Sequence, residues 1–528
     1  MTALELVIEG GHVYDGTGAE AVVANVGIAG GRIAAISAEK LSAETVVDAR
    51  GLAVSPGFID LHSHADYTVE RWPEATGLLA QGVTSILTGN CGWSPFPVVD
   101  AAEAKRWGGF LAGAPSWDWD DLAGFARVVG RAQPAVNILP QVGHVAVRLA
   151  AVGGAERAAS AAEIELMRQY IRTAAEQGAW GFSTGLIYAP GSFASTAEIN
   201  ELVRVAAEEG LLYSTHMRDE TSHLLEAVTE ALNAAEYAGA RLEISHIKAM
   251  GPANHGKVRE ALELLDAAVA RGVDVAADVY PYTASGTTLA SRLPTWALDG
   301  GFELLVERLS DPEQRRHIHA ALDARFGVDF DPAGIVLAEL DPGPFQNERG
   351  RSLVQIGQDL GVDAAEAALM ILAAHHGNVP IINHAMDEAD VETALRHPLV
   401  SVASDGDELV PHGEGATHPR SFGTFPRVLA RYVRERGVLG LSDAVRKMTA
   451  LPASRLGLVD RGILAVGAIA DITVFDADSI ADLATYDDPW QAATGVCHVL
   501  IGGRIAFADG KPVDARHGQL LLRNEAKD

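Results

Sequence analysis

Two histidines separated by one residue, His62 and His64, close the run GFIDLHSH. Residues two apart on an extended strand face the same side, so both imidazoles point one way from the end of such a strand. Three more soft or borderline donors end apolar runs in the same manner: Cys91 after VTSILTGN, His216 after LLYST and His246 after RLEIS. Singly, each has an ordinary explanation, since a buried thiol is often just a small apolar group. Together, four imidazoles and a thiol at the ends of four strands make the donor set of a zinc site. Asp405 ends a further run, LVSVASDGD. Asp-Gly is commonly a turn, but a carboxylate at that place could take a proton from metal-bound water and pass it to a leaving amine. Lys248 shares the face of His246, and Arg420 follows the Asp405 run in HPRSFGTFPRV. They are the local cations that an anionic substrate would require.

The elements that must position these groups are short apolar runs. They lie at Phe58–Leu61, Val83–Thr88, Val136–Val142, Trp180–Thr184, Leu211–Thr215, Leu242–Ser245, Val273–Val279, Ile381–Asn383 and Val400–Ser404. Amphipathic stretches rich in Ala and Glu, such as 161–177, 196–209, 221–238 and 257–271, separate most of them. Buried strands alternating with such helices indicate parallel βα units. Their number favours a closed α/β (β/α)8 TIM-like barrel, whose strand C-termini carry the active site. Nine runs for eight places leave one outside. The stretch 286–346, broken by Pro294, Pro312, Pro332, Pro342 and Pro344, reads as an inserted lid subdomain. Residues 1–56 and 454–528 have the glycine-punctuated alternation of antiparallel strands. GGRIAAIS and GGRIAFAD resemble each other, as two halves of one small β-sandwich built from both termini would. The barrel is then 57–453.

The chain has 528 residues with 41 Lys and Arg against 70 Asp and Glu, a net charge of −29. Nucleic acid and anionic membranes are poor partners for such a balance. The two cysteines, Cys91 and Cys497, provide no disulfide framework, the opening run does not support a secretory leader, and no run approaches the length of a membrane span. A soluble, cytoplasmic protein is the expectation. No Gly-rich phosphate turn follows a strand, so a nucleotide-dependent oxidoreductase is not supported.

In nearly its whole length the sequence resembles the amidohydrolase superfamily and, within it, the D-aminoacylases (N-acyl-D-amino-acid deacylases). GFIDLHSH, GNCGWSPFP, GLIYAPG, THMRDE, ISHIKAMG, DVYPYTASGTT, ASDG, HPRSFGTFPRVL and ADITVFD occur in order. The resemblance implies a tightly held zinc on Cys91, His216 and His246, and a second, weaker metal position at His62 and His64 sharing Cys91. It makes Asp405 the general acid/base. Lys248, Arg420 and a tyrosine of DVYPY, Tyr280 or Tyr282, would grip the substrate α-carboxylate, with Tyr188 lining the acyl or side-chain pocket. Many superfamily members bridge two metals with a carboxylated lysine on the fourth strand. Here that strand reads WGFSTGL, without lysine, and Cys91 is the substitute.

The implied reaction is hydrolysis of N-acyl-D-amino acids, a small-molecule substrate, to a carboxylate and a free D-amino acid. Leu293, Trp296 and Trp93 suggest apolar walls and neutral or hydrophobic side chains. Arg292 is the residue that would instead meet the acidic side chain of an N-acyl-D-glutamate or D-aspartate. The rivals are a cyclic-amide hydrolase of dihydroorotase or hydantoinase type, disfavoured by the missing lysine, and a non-catalytic binding protein, disfavoured because every donor position is intact. His144, His384, His412 and His418 carry no assigned role, His144 reading best as structural and His418 as a support for Arg420.

Overall fold

The computed structural model describes residues 3–107, 115–407, 410–411, 413 and 417–524, and His412 lies outside them. Eight parallel strands follow one another in chain order: β1 (Phe58–Asp60), β2 (Val83–Thr88), β3 (Asn137–Gly143), β4 (Gly181–Gly185), β5 (Leu212–His216), β6 (Leu242–Ile244), β7 (Val275–Val279) and β8 (Val400–Val402). Every residue in them is buried, as strands need to be when helices cover one face and the barrel interior the other. The intervening helices start where the sequence caps them. Ser160 accepts from the Glu163 amide and Ser195 from the Glu198 amide, satisfying amides that the first turn leaves open. Helices Ala161–Glu176, Thr196–Glu208, Leu224–Ala238 and Lys257–Ala270 each bury one apolar stripe, such as Met167 and Ile171 on the first.

The seam between β8 and β1 is made beyond the strands themselves. Ser63 bridges to Gly406, the Asp405 amide donates to the His62 carbonyl at 2.8 Å, and the His64 amide donates to the Gly406 carbonyl at 2.8 Å. Beneath it, Asp60 Oδ1 accepts from the amides of His62 at 3.1 Å and Ser404 at 2.9 Å, and Ser404 Oγ bonds to Asp60 Oδ2. A buried carboxylate thus ties the first strand to the last.

The ninth apolar run is Pro380–His384. It pairs antiparallel with Ala284–Thr288 and Ile335–Leu337 in a three-stranded sheet outside the barrel. Helices Phe302–Ser310, Pro312–Asp323, Leu353–Leu360 and Ala364–Ala374 pack with that sheet around an apolar cluster that includes Leu305, Ile318 and Leu369 and extends to Trp93 and Cys91. The termini build a nine-stranded sheet, in which Ala53–Pro56 runs antiparallel to Ile472–Phe475. The two similar hairpins meet at their tips: a Cβ on Gly31 would touch the Gly502 carbonyl at 3.0 Å, and both positions need positive φ.

At the end of β4 the chain passes so near the Cys91 loop that a Cβ on Gly185 would collide with the Cys91 carbonyl oxygen. Overpacking of this kind costs about 1–3 kcal/mol. Gly185→Ala is therefore expected to lower the unfolding midpoint and to increase labelling of Cys91 by a thiol reagent in the folded protein, read by peptide mass. Unchanged melting and labelling would show that the loop is not wedged there.

Candidate metal centre

The strand ends bring the thiol and imidazoles to one mouth of the barrel. Cys91 Sγ lies 3.2 Å from His62 Nε2 and 3.4 Å from His246 Nε2. Asp405 Oδ1 stands 3.3 Å from both His62 Nε2 and His64 Nε2. Donor atoms of His62, Cys91, His246 and Asp405 form one group within 4.8 Å of one another, and those of His216, Glu220 and His246 form a second. His246 belongs to both, and its ring centroid is 4.3 Å from that of His216. His216 is thus grouped with His246 and Glu220, and His64 with Asp405. All six side chains from the sequence are buried at this mouth.

Backbone placement is unusual at three of them. Cys91, His246 and Asp405 have φ of 53°, 36° and 54°, a left-handed conformation that costs a residue with a side chain and persists where the surroundings enforce it. Each turns the chain sharply at a strand end, aiming the side chain over the barrel axis.

Burial and neighbouring charges shift the groups of this cluster in different directions, and at His64 burial is outweighed by Asp405, which raises the imidazole. Burial pushes the Cys91 thiol well above its ordinary value, and Asp405 adds to the rise. Burial lowers His62 to about 3 and also lowers His216 and His246. Burial would raise Asp405, but Arg420 and the neighbouring imidazoles outweigh it and hold the carboxylate well below its usual range. Neutral imidazoles are the form in which histidine binds a cation, and a buried thiol becomes a thiolate beside one. The ring nitrogens of His216 and Nδ1 of His62 and His64 complete no hydrogen bond among the described residues. Tetrahedral zinc with sulfur and nitrogen ligands has donor–donor edges of roughly 3.3–3.8 Å. The Cys91, His62 and His246 separations are close to that, so the donor set fits the metal.

The cationic groups surround the cluster. Arg420 Nη1 donates to Asp405 Oδ2 at 2.5 Å, and His418 Nδ1 accepts from the Arg420 amide at 3.1 Å. Lys248 Nζ donates to Glu220 Oε1 at 2.5 Å and lies 2.7 Å from His246 Nδ1. Tyr280 stands between these cations, its ring 5.6 Å from Lys248 Nζ and 5.1 Å from the Arg420 guanidinium, with a hydroxyl that bonds to nothing among the described residues. Tyr282 instead donates to the Pro419 carbonyl at 3.4 Å and packs on Arg427. Tyr188 bonds with Thr287 at 3.2 Å and sets its ring 4.9 Å from His216.

Two carboxylates, Glu220 and Asp278, and the burial of Arg292 escape sequence reasoning. Glu220 is buried between Lys248 and two imidazoles. Asp278 accepts from the His246 amide at 2.7 Å and faces His62 Nδ1 at 3.6 Å; a carboxylate inside an apolar strand was its available signal. Arg292 is 2% exposed. Among the described residues no carboxylate lies within 4.0 Å of its guanidinium, and its Nε and Nη1 make no hydrogen bond. It stacks over Phe330 at 4.7 Å, and burial lowers its pKa to about 10, with Tyr188, Glu220 and Tyr280 within its field. Trp296 is 38% exposed. His144 is structural: its Nε2 lies 3.1 Å from Glu198 Oε1, which also receives Arg148.

The sequence pattern of the amidohydrolase family matches residues 45–507. An N-acyl-D-glutamate deacylase of Alcaligenes xylosoxydans xylosoxydans is 39% identical, over 99% of this chain and 97% of its own. A D-aminoacylase of the same organism is 35% identical over 99% and 98%. The crystal structure of an N-acyl-D-glutamate deacylase from Bordetella bronchiseptica, complexed with zinc and a phosphonate mimic of the tetrahedral intermediate, superposes with a TM-score of 0.83 at 36% identity, covering 98% of this chain and all of that one. Matched from its first strands to its last and carrying its donors where a barrel hydrolase keeps them, the chain belongs to the amidohydrolase family.

Proposed function

We propose that the protein is a zinc-dependent deacylase that hydrolyses the linear amide of N-acyl-D-amino acids bearing an acidic side chain. The observation that carries the reading is the convergence of Cys91, His62, His246 and Asp405 donors within 4.8 Å, flanked by buried cations. The full-length relatives named for N-acyl-D-glutamate and D-amino acid substrates support the reaction class and the D preference.

Cys91, His216 and His246 would hold the tightly bound zinc, and His62 and His64 would complete a weaker second position sharing Cys91. When bound, zinc supplies a water acidified to a pKa of about 7 and polarises a carbonyl. Asp405 Oδ1, facing the imidazole side, takes the proton of the attacking water and returns it to the leaving nitrogen. Arg420 on Oδ2 keeps that carboxylate ionised and ready to accept. Lys248, Arg420 and the Tyr280 hydroxyl form the anchor for the α-carboxylate. Charge-assisted hydrogen bonds are worth about 1.5–3 kcal/mol each, so two or three fix the Cα and with it the hand of the substrate. Tyr188 closes the side near His216.

Arg292 supports the acidic side chain. A buried guanidinium with donors unused is destabilising unless a counter-charge arrives, and a substrate carboxylate is such a charge.

Exhaustive chelation is expected to abolish activity and added zinc to restore it. Asp405→Asn should retain zinc by elemental analysis while losing roughly 10²–10⁴ in kcat. Activity indifferent to both treatments, or turnover of cyclic imides in place of linear amides, would overturn the reaction class. For specificity, kcat/KM on N-acetyl-D-glutamate or N-acetyl-D-aspartate should exceed that on N-acetyl-D-leucine. Arg292→Met should erase roughly 10- to 150-fold of that advantage, the worth of one charge-assisted contact, and leave the leucine substrate nearly untouched. A wild-type preference for leucine would restore the apolar pocket.

A further inference from the structure

We infer that Phe330 is a positioning residue that seats the Arg292 guanidinium for an acidic side chain and thereby sets the preference between acidic and neutral substrates. The inference rests on the reading of Arg292 given above.

Phe330 lies in the insertion beyond helix Pro312–Asp323 and is fully buried. Two guanidiniums approach its ring, Arg292 at 4.7 Å and Arg325 at 4.5 Å from the centroid. The face of an aromatic ring carries the negative part of its quadrupole and attracts a cation within about 6 Å. The two arginines differ in what else they meet. Arg325 Nε donates to Asp329 Oδ2 at 2.9 Å, and its Nη1 donates to the Arg292 carbonyl at 3.2 Å. Its charge is matched on the spot, whereas the Nε and Nη1 of Arg292 make no hydrogen bond among the described residues. A contact through the ring face uses the charge of a guanidinium without using up its N–H donors. Arg292 is thus held while keeping donors from which a substrate carboxylate can accept.

The seat is itself fixed to the barrel. Asp329 Oδ1 accepts from Ser222 Oγ at 2.6 Å, and a Cβ on Gly251 would meet the Asp329 carbonyl oxygen at 2.6 Å. Ser222 lies in the loop after β5, two residues beyond Glu220, and Gly251 follows β6, three residues beyond Lys248. The loops that carry the Glu220–Lys248 pair therefore also locate Phe330. An arginine loose in its pocket would lose rotamer freedom when the substrate arrives, while one already seated has lost it on folding. The gain falls to acidic substrates alone, because a neutral side chain makes no use of the guanidinium.

The test is a ratio of kcat/KM values, with the better of N-acetyl-D-glutamate and N-acetyl-D-aspartate set against N-acetyl-D-leucine. Cation–π contacts are worth roughly 3- to 30-fold, so Phe330→Leu is expected to lower the ratio by that factor through the acidic substrate. Because leucine also alters packing, Phe330 is replaced in turn by mono-, di- and trifluorinated phenylalanine, which keep the shape of the ring and progressively weaken its negative face. A stepwise fall of the ratio with fluorination supports the assignment. The series decides where the two measurements disagree or where Phe330→Leu does not fold. A flat or rising ratio across the series overturns the inference and leaves Phe330 as core packing. Wild-type protein that prefers the leucine substrate overturns the acidic reading itself, a separate outcome.

Discussion

Burial of ionisable groups without their usual solvent governs the rest of this structure. The barrel mouth sequesters a thiol, four imidazoles, several carboxylates and three cationic side chains, and desolvation acts on all of them in the same sense, against charge. A pocket of that kind is stable only if opposite charges are matched at contact distance. Asp405 with Arg420 and Glu220 with Lys248 meet the condition internally. Cys91 has no charge to match while burial and the nearby carboxylates hold its proton on. Arg292 is the buried cation whose Nε and Nη1 make no hydrogen bond among the described residues.

The groups proposed for the chemistry also close the scaffold. Hydrogen bonds from Asp405 and His64 across to His62 and Gly406 join the first strand to the last, and Asp60 secures the junction from below. Left-handed turns at Cys91, His246 and Asp405 are tolerated because neighbouring strands leave no alternative, as the Gly185 backbone pressed on Cys91 illustrates. Precision in the donor set is therefore a property of barrel closure rather than of any one loop.

Much of this was legible from residue order. Strand period two puts His62 and His64 on one face, and the recurrence of Cys91, His216, His246 and Asp405 at the ends of apolar runs points to one shared mouth. The run at 380–384 could not be told from a barrel strand because a short apolar segment looks alike in any buried sheet; only its antiparallel partners distinguish it. Glu220 sits in a loop, where no periodicity assigns a direction, and its proximity to Lys248 is created by the fold. Arg292 was named in the sequence as the group that would meet an acidic side chain, but its burial could not be read there, because Phe330, which it stacks on, lies some forty positions away in the insertion. Asp60 and Asp278 were the recoverable omissions, as carboxylates within otherwise apolar strands.

The pairing of Ala53–Pro56 with Ile472–Phe475 has a consequence for biogenesis. Chains fold as they emerge, amino end first, yet this N-terminal strand waits for a partner made more than four hundred residues later. Throughout translation it offers an unpaired edge of the sort that invites association between nascent chains. The helices of the barrel can be laid down on the ribosome, but this junction of the small sheet is sealed only once Ile472–Phe475 has emerged, which makes that strand the latch on Ala53–Pro56.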